Sequence, residues 1–289
     1  MEKTIPATDR KITDGLAQLN AETARQFTDA RDSFEAAKSA AADAAALIQA
    51  MPRLTLLGMG GSHWCNRMVV PAYRACGVDC QAEVVSEYQR APQPGDEVKV
   101  LVSQSGRSGE ILRFLHEDAT ARQAIGLTLN GDSPLGQLRF ALIGRGGPEL
   151  AYAATRSLVI TLALHMRILQ ALGHDTAAFV DALDERSVVP SFAAVQALAK
   201  ARFAVFCGRG VLQGVAEAAA LSLMELARIP VLALEAGQFR HGPVECVSAD
   251  TAVIFLRGVG ILADGIDALA RDCVAAGATP LVLDFTADP

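Results

Sequence analysis

The chain has 289 residues, a formal net charge of −6 at pH 7, 51% hydrophobic residues and 20% charged residues. This composition is typical of a folded protein with a buried core and excludes a largely disordered chain. The chain is acidic and lacks the dense clusters of lysine and arginine that bind phosphate polymers or an anionic bilayer. We therefore expect no nucleic-acid partner and no membrane partner.

Targeting segments, metal motifs and cofactor motifs are not indicated. No apolar run approaches the roughly 20 residues of a membrane span. The first 15 residues mix acidic with basic side chains and have no apolar core, unlike a secretory signal, so we expect a cytoplasmic location. The six cysteines form no C-x-x-C pair, and we expect neither a metal nor a cofactor.

Helix-forming residues dominate the N-terminal segment, and strand-like runs follow it. Residues 10–50 are rich in Ala, Gln, Glu and Arg without internal proline, which predicts surface helices in an N-terminal helical arm over residues 1–50. The runs LTLLG, AEVVS, VKVLVS, IGLTL and FALIG then alternate with helical stretches. Such alternation predicts a parallel sheet covered by helices on both faces, and we assign residues 51–187 to a first domain.

A second series of strands and helices follows a polar, charged segment. Its strand-like runs are RFAVFCG, IPVLALE, TAVIFLRG and TPLVLDF. Aligning the two series places Gly58 over Gly208 and Glu87 over Glu235, a period near 150 residues. The sequence therefore predicts an α/β protein in which two tandem, doubly wound, flavodoxin-like parallel-sheet domains follow the arm, the second over residues 188–289.

Nucleotide-binding motifs are disfavoured at the glycine-rich corners. The stretch GMGGS would need a third glycine at position 63 to be a dinucleotide fingerprint, and this residue is His63. Asp79 precedes the second strand and Glu87 comes late, so neither is well placed to bind a ribose. The G-x-x-x-x-G-K-[ST] loop of nucleoside triphosphatases does not occur. A nicotinamide-dependent oxidoreductase is therefore a poor third interpretation.

The stretch SQSGRSGE, residues 103–110, predicts a site for a single phosphate group. Its serine hydroxyls, the Gln104 amide and backbone N–H groups at the two glycines are hydrogen-bond donors. They meet the positive end of a helix that starts near Ser108. A turn followed by a helix N-cap would need only one serine. The number of donors therefore favours phosphate binding over a simple turn.

The order of GMGGS, SQSG, GPELAYAATRS and FRHGP along the chain resembles that of the sugar isomerase (SIS) domain family. The resemblance spans roughly residues 50–289. It is strongest to the tandem SIS enzymes: the isomerase half of glucosamine-6-phosphate synthase, fructosamine-6-phosphate deglycases and galactosamine-type ketose/aldose isomerases. It implies an isomerase that moves a proton between aldose and ketose forms of a sugar phosphate or amino-sugar phosphate, with deamination or deglycation as variants.

The resemblance also implies roles for individual residues. Glu225 lies sixteen residues before His241, the spacing of the family's proton-shuttling glutamate and its histidine. Glu225 would be the base, and His241 would act in ring opening, contributed across the interface of a homodimer. Glu87 would have a supporting role at the substrate. The other substrate-binding residues implied are Ser62, Ser103, Gln104, Ser105 and Ser108.

Alternatives remain open for the catalytic residues and for the function. Glu225 could form a surface ion pair with Arg228, and His241 could cap a helix that begins near Pro243. Ser222 stands where the family's synthases have a helical lysine, and no glutaminase domain is expected, so amino-sugar synthesis from glutamine is not expected. The main alternative function is a non-catalytic sugar-phosphate-binding regulatory protein, although residues 1–50 contain no clear helix-turn-helix.

Overall fold

The computed structural model describes residues 7–118, 120–184, 192–260, 263 and 265–285. These residues form an α/β fold with two parallel sheets, as the sequence predicted. They divide into two compact units. The first contains the described residues up to His63 and from Ala72 to Asp184, and the second contains Trp64–Pro71 and the described residues from Phe192 onward. Among the described helices, none is both long and apolar enough to cross a bilayer.

The first unit is built on a five-stranded parallel sheet with the order β2-β1-β3-β4-β5. Each of the five strand-like runs predicted for this part of the chain overlaps one of its strands. Its strands are β1 (Leu54–Gly58), β2 (Cys80–Val84), β3 (Val98–Val102), β4 (Ile125–Thr128) and β5 (Phe140–Ile143). The helices before β3 are α1 (Ala7–Ala24), α2 (Gln26–Ala36), α3 (Lys38–Gln49), α4 (Gly61–Ala75) and α5 (Val85–Tyr88). Those after β3 are α6 (Gly109–Glu117), α7 (Arg156–Ala171), α8 (Ala177–Ala182) and a 3₁₀ turn at Ala121–Gln123.

Residues 7–49 are helical, as the sequence predicted, but helices α2 and α3 pack into the core of the first unit and are not surface helices. Helices α2 and α3 pack against α7, and Phe34 and Ile48 are buried. Apart from Asp29, the other buried positions along these two helices are small: Ala30, Ser33, Ala37, Ala41, Ala44 and Ala45. Small side chains at helical spacing allow helices to approach closely, and this face was mistaken for a solvent-exposed one because it carries few large apolar residues. The boundary predicted at residue 50, like the one at residue 187, remains a prediction about independently folding domains.

The second unit repeats the arrangement on a four-stranded parallel sheet with the order β7-β6-β8-β9. Alternate residues of β6 feed two separate apolar clusters, one with Val205 and Cys207 and the other with Ala204 and Phe206, so both faces of the sheet are covered. The strands are β6 (Phe203–Gly208), β7 (Val231–Glu235), β8 (Thr251–Arg257) and β9 (Thr279–Asp284). The helices are α9 (Phe192–Lys200), α10 (Val211–Ala227), α11 (Ala236–Arg240), α12 (Ile266–Ala275) and a 3₁₀ turn at Pro243–Cys246.

The two sheets share the geometry of their first strand-to-helix corner. Gly60 has φ 50° and ψ −128°, and Gly210 has φ 55° and ψ −125°, so both corners use the same glycine-specific conformation.

The register corrects one part of the predicted repeat. Gly58 pairs with Val84, whereas Gly208 pairs with Glu235. Glu235 therefore corresponds to Val84 and not to Glu87, because the second strand ends at a different point relative to the acidic residue.

Candidate active site

Three neighbouring strands of the first sheet end at one edge, and most of the predicted binding residues follow them. In the order β2-β1-β3, Gly58 lies beside Val84 and Leu57 lies beside Leu101. The carboxyl ends of adjacent parallel strands lie at the same edge, where α/β folds bind ligands. Ser62, Glu87 and the serine-rich loop, residues 103–108, therefore share this edge.

The backbone of the serine-rich loop is held by the last residue of β4 and the residues that follow it. The carbonyl oxygen of Gln104 accepts hydrogen bonds from Leu129 N and from Thr128 Oγ1, both at 3.1 Å. Gly106 has φ 62°, and a Cβ there would overlap Ser133 Oγ, lie 2.6 Å from Ser133 Cβ and lie 2.9 Å from Thr128 Oγ1. Only glycine fits this position, because the loop packs tightly against Thr128 and Ser133. Sequence reasoning missed both of these residues.

The side chains of the loop leave the start of α6 open to a ligand. Ser103 Oγ and Ser108 Oγ lie 3.2 Å apart, and Ser105 Oγ accepts a hydrogen bond from Arg107 N at 3.2 Å. Ser108 stands at the N-cap of α6 but makes no side-chain cap hydrogen bond. Ser108 therefore does not act as a simple helix cap. Its side chain accepts no hydrogen bond from the N–H groups of the first turn, which leaves them available to a ligand.

The amide and the cation of the loop have partners outside it. Gln104 Nε2 donates to the carbonyl oxygen of Glu149 at 3.4 Å. The exposed Arg107 donates from Nη2 to the carbonyl oxygen of Asp132 at 2.9 Å. Both interactions fix side chains at the rim of the loop.

Ser62 and Glu87 occupy the two other corners of this edge. Ser62 is half-buried in the first turn of α4, and its backbone N donates to Met59 O at 3.1 Å. Glu87 is exposed on the short helix α5. Neither side chain forms a hydrogen bond or ion pair with another residue that the structure describes. Both are free to interact with a ligand.

Glu225 lies on α10 in the second unit, three residues before its C-terminal cap at Arg228. The side chain is half-buried, and burial raises the pKa of its carboxyl above the usual value. Arg228 has φ 56° and ends the helix by donating its backbone N–H to Met224 O. No ion pair joins Glu225 to Arg228 in the described chain, so the alternative of a surface pair is not formed.

His241 is exposed at the end of α11 in the second unit. Its backbone N donates to Gln238 O at 3.1 Å. No side chain caps the following 3₁₀ turn at Pro243–Cys246, so the capping role considered for His241 is not realised. Within the residues that the structure covers, no hydrogen bond links His241 to Glu225.

Sequence reasoning also missed polar residues that support the edge. Thr128 and Ser133 are buried, and Ser133 Oγ donates to Asn130 O at 2.6 Å. The signal for them is the stretch LTLNGDS, which begins in the last two residues of β4 and turns polar beyond the strand, because β4 is the neighbour of β3 in the sheet. The fully buried Arg156 was also missed, because an arginine at a helix start looks solvent-exposed in sequence.

Comparisons with known proteins identify relatives of this chain. A family model for the SIS domain matches residues 197–288. The isomerizing glutamine–fructose-6-phosphate aminotransferase of Gluconobacter oxydans is 28% identical over 242 residues, which make up 74% of this chain and 39% of the relative. The chain thus spans well under half the length of this curated relative.

Two solved structures share the fold. The C-terminal domain of glucosamine-fructose-6-phosphate aminotransferase from Francisella tularensis matches with a TM-score of 0.77 and 18% identity, covering 94% of this chain and 89% of that chain. Tagatose-6-phosphate ketose/aldose isomerase from Escherichia coli matches with a TM-score of 0.74 and 20% identity, covering 92% and 85%. The match to the SIS domain model over residues 197–288 and the curated relative confirm the resemblance to the SIS family that was recognised from the sequence motifs.

Proposed function

We propose that the chain is a phosphosugar isomerase. It moves a proton between C1 and C2 of a sugar phosphate or an amino-sugar phosphate, either as a simple aldose/ketose isomerisation or coupled to deamination or deglycation. The serine-rich loop binds the phosphate group, with Ser62 and Glu87 beside the sugar. Glu225 is the base and His241 assists ring opening.

The observation that carries this proposal is the open start of α6. Ser103, Gln104, Ser105 and Ser108 bring three hydroxyls and an amide to the first helical turn, yet Ser108 does not cap that turn. A phosphate group has enough acceptor oxygens for both the side-chain donors and the backbone N–H groups. The helix dipole adds a favourable interaction with the anion.

The state of Glu225 supports its role as the base. A general base must be ionised and must also have enough proton affinity to take a proton from carbon. Burial raises the pKa of Glu225, and no cation in the described chain neutralises the carboxylate. General base catalysis of this kind accelerates reactions by about 10² to 10⁴.

The exposure of His241 supports a role in a homodimer. Gly242 has φ 124°, so the backbone turns directly after His241 through a conformation that favours glycine. An imidazole presented at the surface by such a turn can reach a site on a second subunit. We also propose that the two sheets belong to tandem, doubly wound SIS domains. In each sheet the second strand of the series lies at the edge beside the first strand, and the later strands follow in chain order: β2-β1-β3-β4-β5 and β7-β6-β8-β9.

A non-catalytic sugar-phosphate-binding regulator is the second candidate function. It needs the phosphate-binding loop but has no use for a carboxylate with a raised pKa. Glu225 is therefore the residue that separates the two functions.

Proton exchange in deuterated water tests the proposal. The purified protein is incubated with hexose 6-phosphates, amino-sugar phosphates and fructosamine phosphates, and deuterium at C1 or C2 is measured by NMR. We expect label in at least one substrate. Glu225→Gln should abolish the exchange and leave the substrate affinity unchanged, whereas Glu117→Gln, at an exposed glutamate at the end of α6, is the matched control.

Two results would contradict the assignment. Exchange that persists in Glu225→Gln would exclude this residue as the base. Tight binding without exchange in any substrate would identify the protein as a regulator. Ser105→Ala should weaken binding in either case, compared with Ser39→Ala on the exposed face of α3.

A further inference from the structure

A second loop lies at the same edge of the first sheet as the serine-rich loop. It joins β5 to α7 and comprises residues 144–155, called the β5–α7 loop below. The two loops touch where Gln104 Nε2 donates to the carbonyl oxygen of Glu149 at 3.4 Å. The conformation of the β5–α7 loop therefore determines where this amide can be anchored.

A buried arginine forms hydrogen bonds with the backbone of the β5–α7 loop. Arg156 begins α7, and its side chain is fully buried. Its Nε donates to Glu22 Oε2 at 2.5 Å, and its Nη1 donates to Asp29 Oδ2 at 2.9 Å. The same guanidinium donates to the carbonyl oxygens of Arg145 at 3.3 Å and Gly147 at 3.0 Å. Arg156, Glu22 and Asp29, here called the Arg156 cluster, thus join α1 and α2 to the loop.

Side chains of the N-terminal helices also bind the loop backbone directly. Ser33 Oγ accepts a hydrogen bond from Arg145 N at 2.8 Å, and Glu22 Oε1 accepts one from Leu150 N at 3.0 Å. Gly146 has φ 85°, and a Cβ there would overlap the carboxylate of Asp29. The loop backbone therefore has one conformation that satisfies these contacts.

Several hydrogen bonds stabilise the ionised form of the Glu22 carboxyl. Burial alone would raise the pKa of its carboxyl. Hydrogen bonds from Leu150 N–H, Arg156 and Arg25 outweigh burial, and the pKa of Glu22 lies below its usual value. Glu22 is therefore an ionised carboxylate with the loop backbone as one of its ligands.

Glu149 transmits this constraint to the serine-rich loop. Its Oε1 accepts hydrogen bonds from Thr155 N and Thr155 Oγ1, both at 3.0 Å, and its Oε2 accepts one from Ser157 Oγ. Its side chain is anchored at the start of α7, and the next residue, Leu150, is anchored by Glu22. The carbonyl oxygen of Glu149 is fixed between these two anchors, within reach of Gln104.

We propose that the Arg156 cluster is a positioning device for phosphate binding. It fixes the carbonyl oxygen of Glu149, which orients the side-chain amide of Gln104 over the serine-rich loop. The amide has two N–H donors, so one hydrogen bond to Glu149 leaves the other for a phosphate oxygen. This inference rests on the proposed function of the serine-rich loop, and Glu22, Asp29 and Arg156 act only through Gln104.

A double-mutant cycle tests the proposal. The dissociation constants of glucose 6-phosphate and inorganic phosphate are measured by calorimetry for the wild-type protein, Glu22→Gln, Gln104→Ala and the double variant. Glu22→Gln should raise the dissociation constant about tenfold when Gln104 is present and less than about twofold when it is absent. Glu35→Gln, an exposed site on α2, is the matched control and should leave the constant unchanged. Asp29→Asn replaces Glu22→Gln in the cycle if the latter does not fold.

Each outcome of the cycle has a defined meaning. An equal effect of Glu22→Gln in both backgrounds, with a lowered melting temperature, would assign the cluster to stability alone and overturn the inference. The same holds if Ser105→Ala weakens binding while Gln104→Ala does not. If the wild-type protein binds neither probe, or if no loop variant alters binding, the proposed function fails and this inference fails with it.

Discussion

Arg228 is the one non-glycine residue with a positive φ in the described chain, and it follows Glu225 by three positions. A left-handed conformation costs a residue with a Cβ about 1 kcal/mol relative to glycine. Its exposed side chain forms no hydrogen bond or ion pair among the described residues that would offset this cost. The strain lies at the helix end that carries the proposed base, where left-handed glycine is the common solution.

Arg228→Gly should therefore stabilise the protein. We expect a gain of about 1 kcal/mol in the free energy of unfolding, which corresponds to a melting temperature about 2 °C higher. Thermal unfolding followed by circular dichroism measures the shift. Arg228→Ala is the matched control, because it removes the same side chain but keeps the Cβ in the left-handed region. Equal melting temperatures for the two variants would show that the backbone conformation carries no strain.

The serine-rich loop is a single element whose shape depends on one glycine. Gly106 has φ 62° and faces Ser133 and Thr128, whereas a Cβ at Gly109 would meet nothing within 4 Å. The two glycines flank the same phosphate-binding stretch, and they differ in how much the loop depends on them. Gly109 starts α6, where alanine is compatible with the helix.

Gly106→Ala should disrupt the loop, and Gly109→Ala should not. We expect Gly106→Ala to weaken binding of inorganic phosphate by more than about tenfold, because the added methyl group displaces the loop from its seat. Gly109→Ala should alter the affinity by less than about twofold. Calorimetric titration of both variants measures the difference, and circular dichroism checks that each is folded. Similar affinities would mean that the loop shape does not determine phosphate binding.

The elements differ in how well their sequence indicates them. Buried parallel strands such as β1 and β3 are apolar except for one polar residue each, Thr55 and Lys99, so their runs were recognisable. The serine-rich loop was recognisable because all its donors are adjacent in sequence. Helices α2 and α3 were assigned to the surface, because their buried face consists largely of alanine and a hydrophobic pattern barely marks it. Burial by small residues depends on a neighbouring helix that local sequence does not identify.

At the scale of the whole chain, contacts between distant residues escape sequence reasoning. Arg156 and Glu22 are 134 positions apart, and each resembles an ordinary surface residue of a helix. Glu22 lies at the end of α1, directly before α2, and α2 packs on α7, which begins with Arg156. The two opposite charges therefore meet away from water. The repeated alternation of strands and helices was predictable from composition and spacing. The register at Glu235 was not, because a shift of three residues leaves that alternation unchanged.

The way in which two subunits assemble determines whether a site contains Glu225 and His241 from the same chain or from different chains. In the proposed homodimer, each site takes Glu225 from one subunit and His241 from the other. A mixed dimer of Glu225→Gln and His241→Asn subunits would then contain one site with both wild-type residues and one site with neither. If both residues came from the same subunit, every site in the mixed dimer would lack one of them.

Mixing the two inactive variants should therefore restore activity. Co-expression of Glu225→Gln and His241→Asn chains with different affinity tags yields mixed dimers, about half of a random population, so we expect about a quarter of the wild-type proton exchange. The measurement is deuterium exchange on the substrate identified with the wild-type protein, with each variant alone as the control. Exchange no higher than that of the separate variants would place His241 in the same subunit as its Glu225. An exposed imidazole on a glycine turn would then act within its own chain, and the dimer would have no catalytic role.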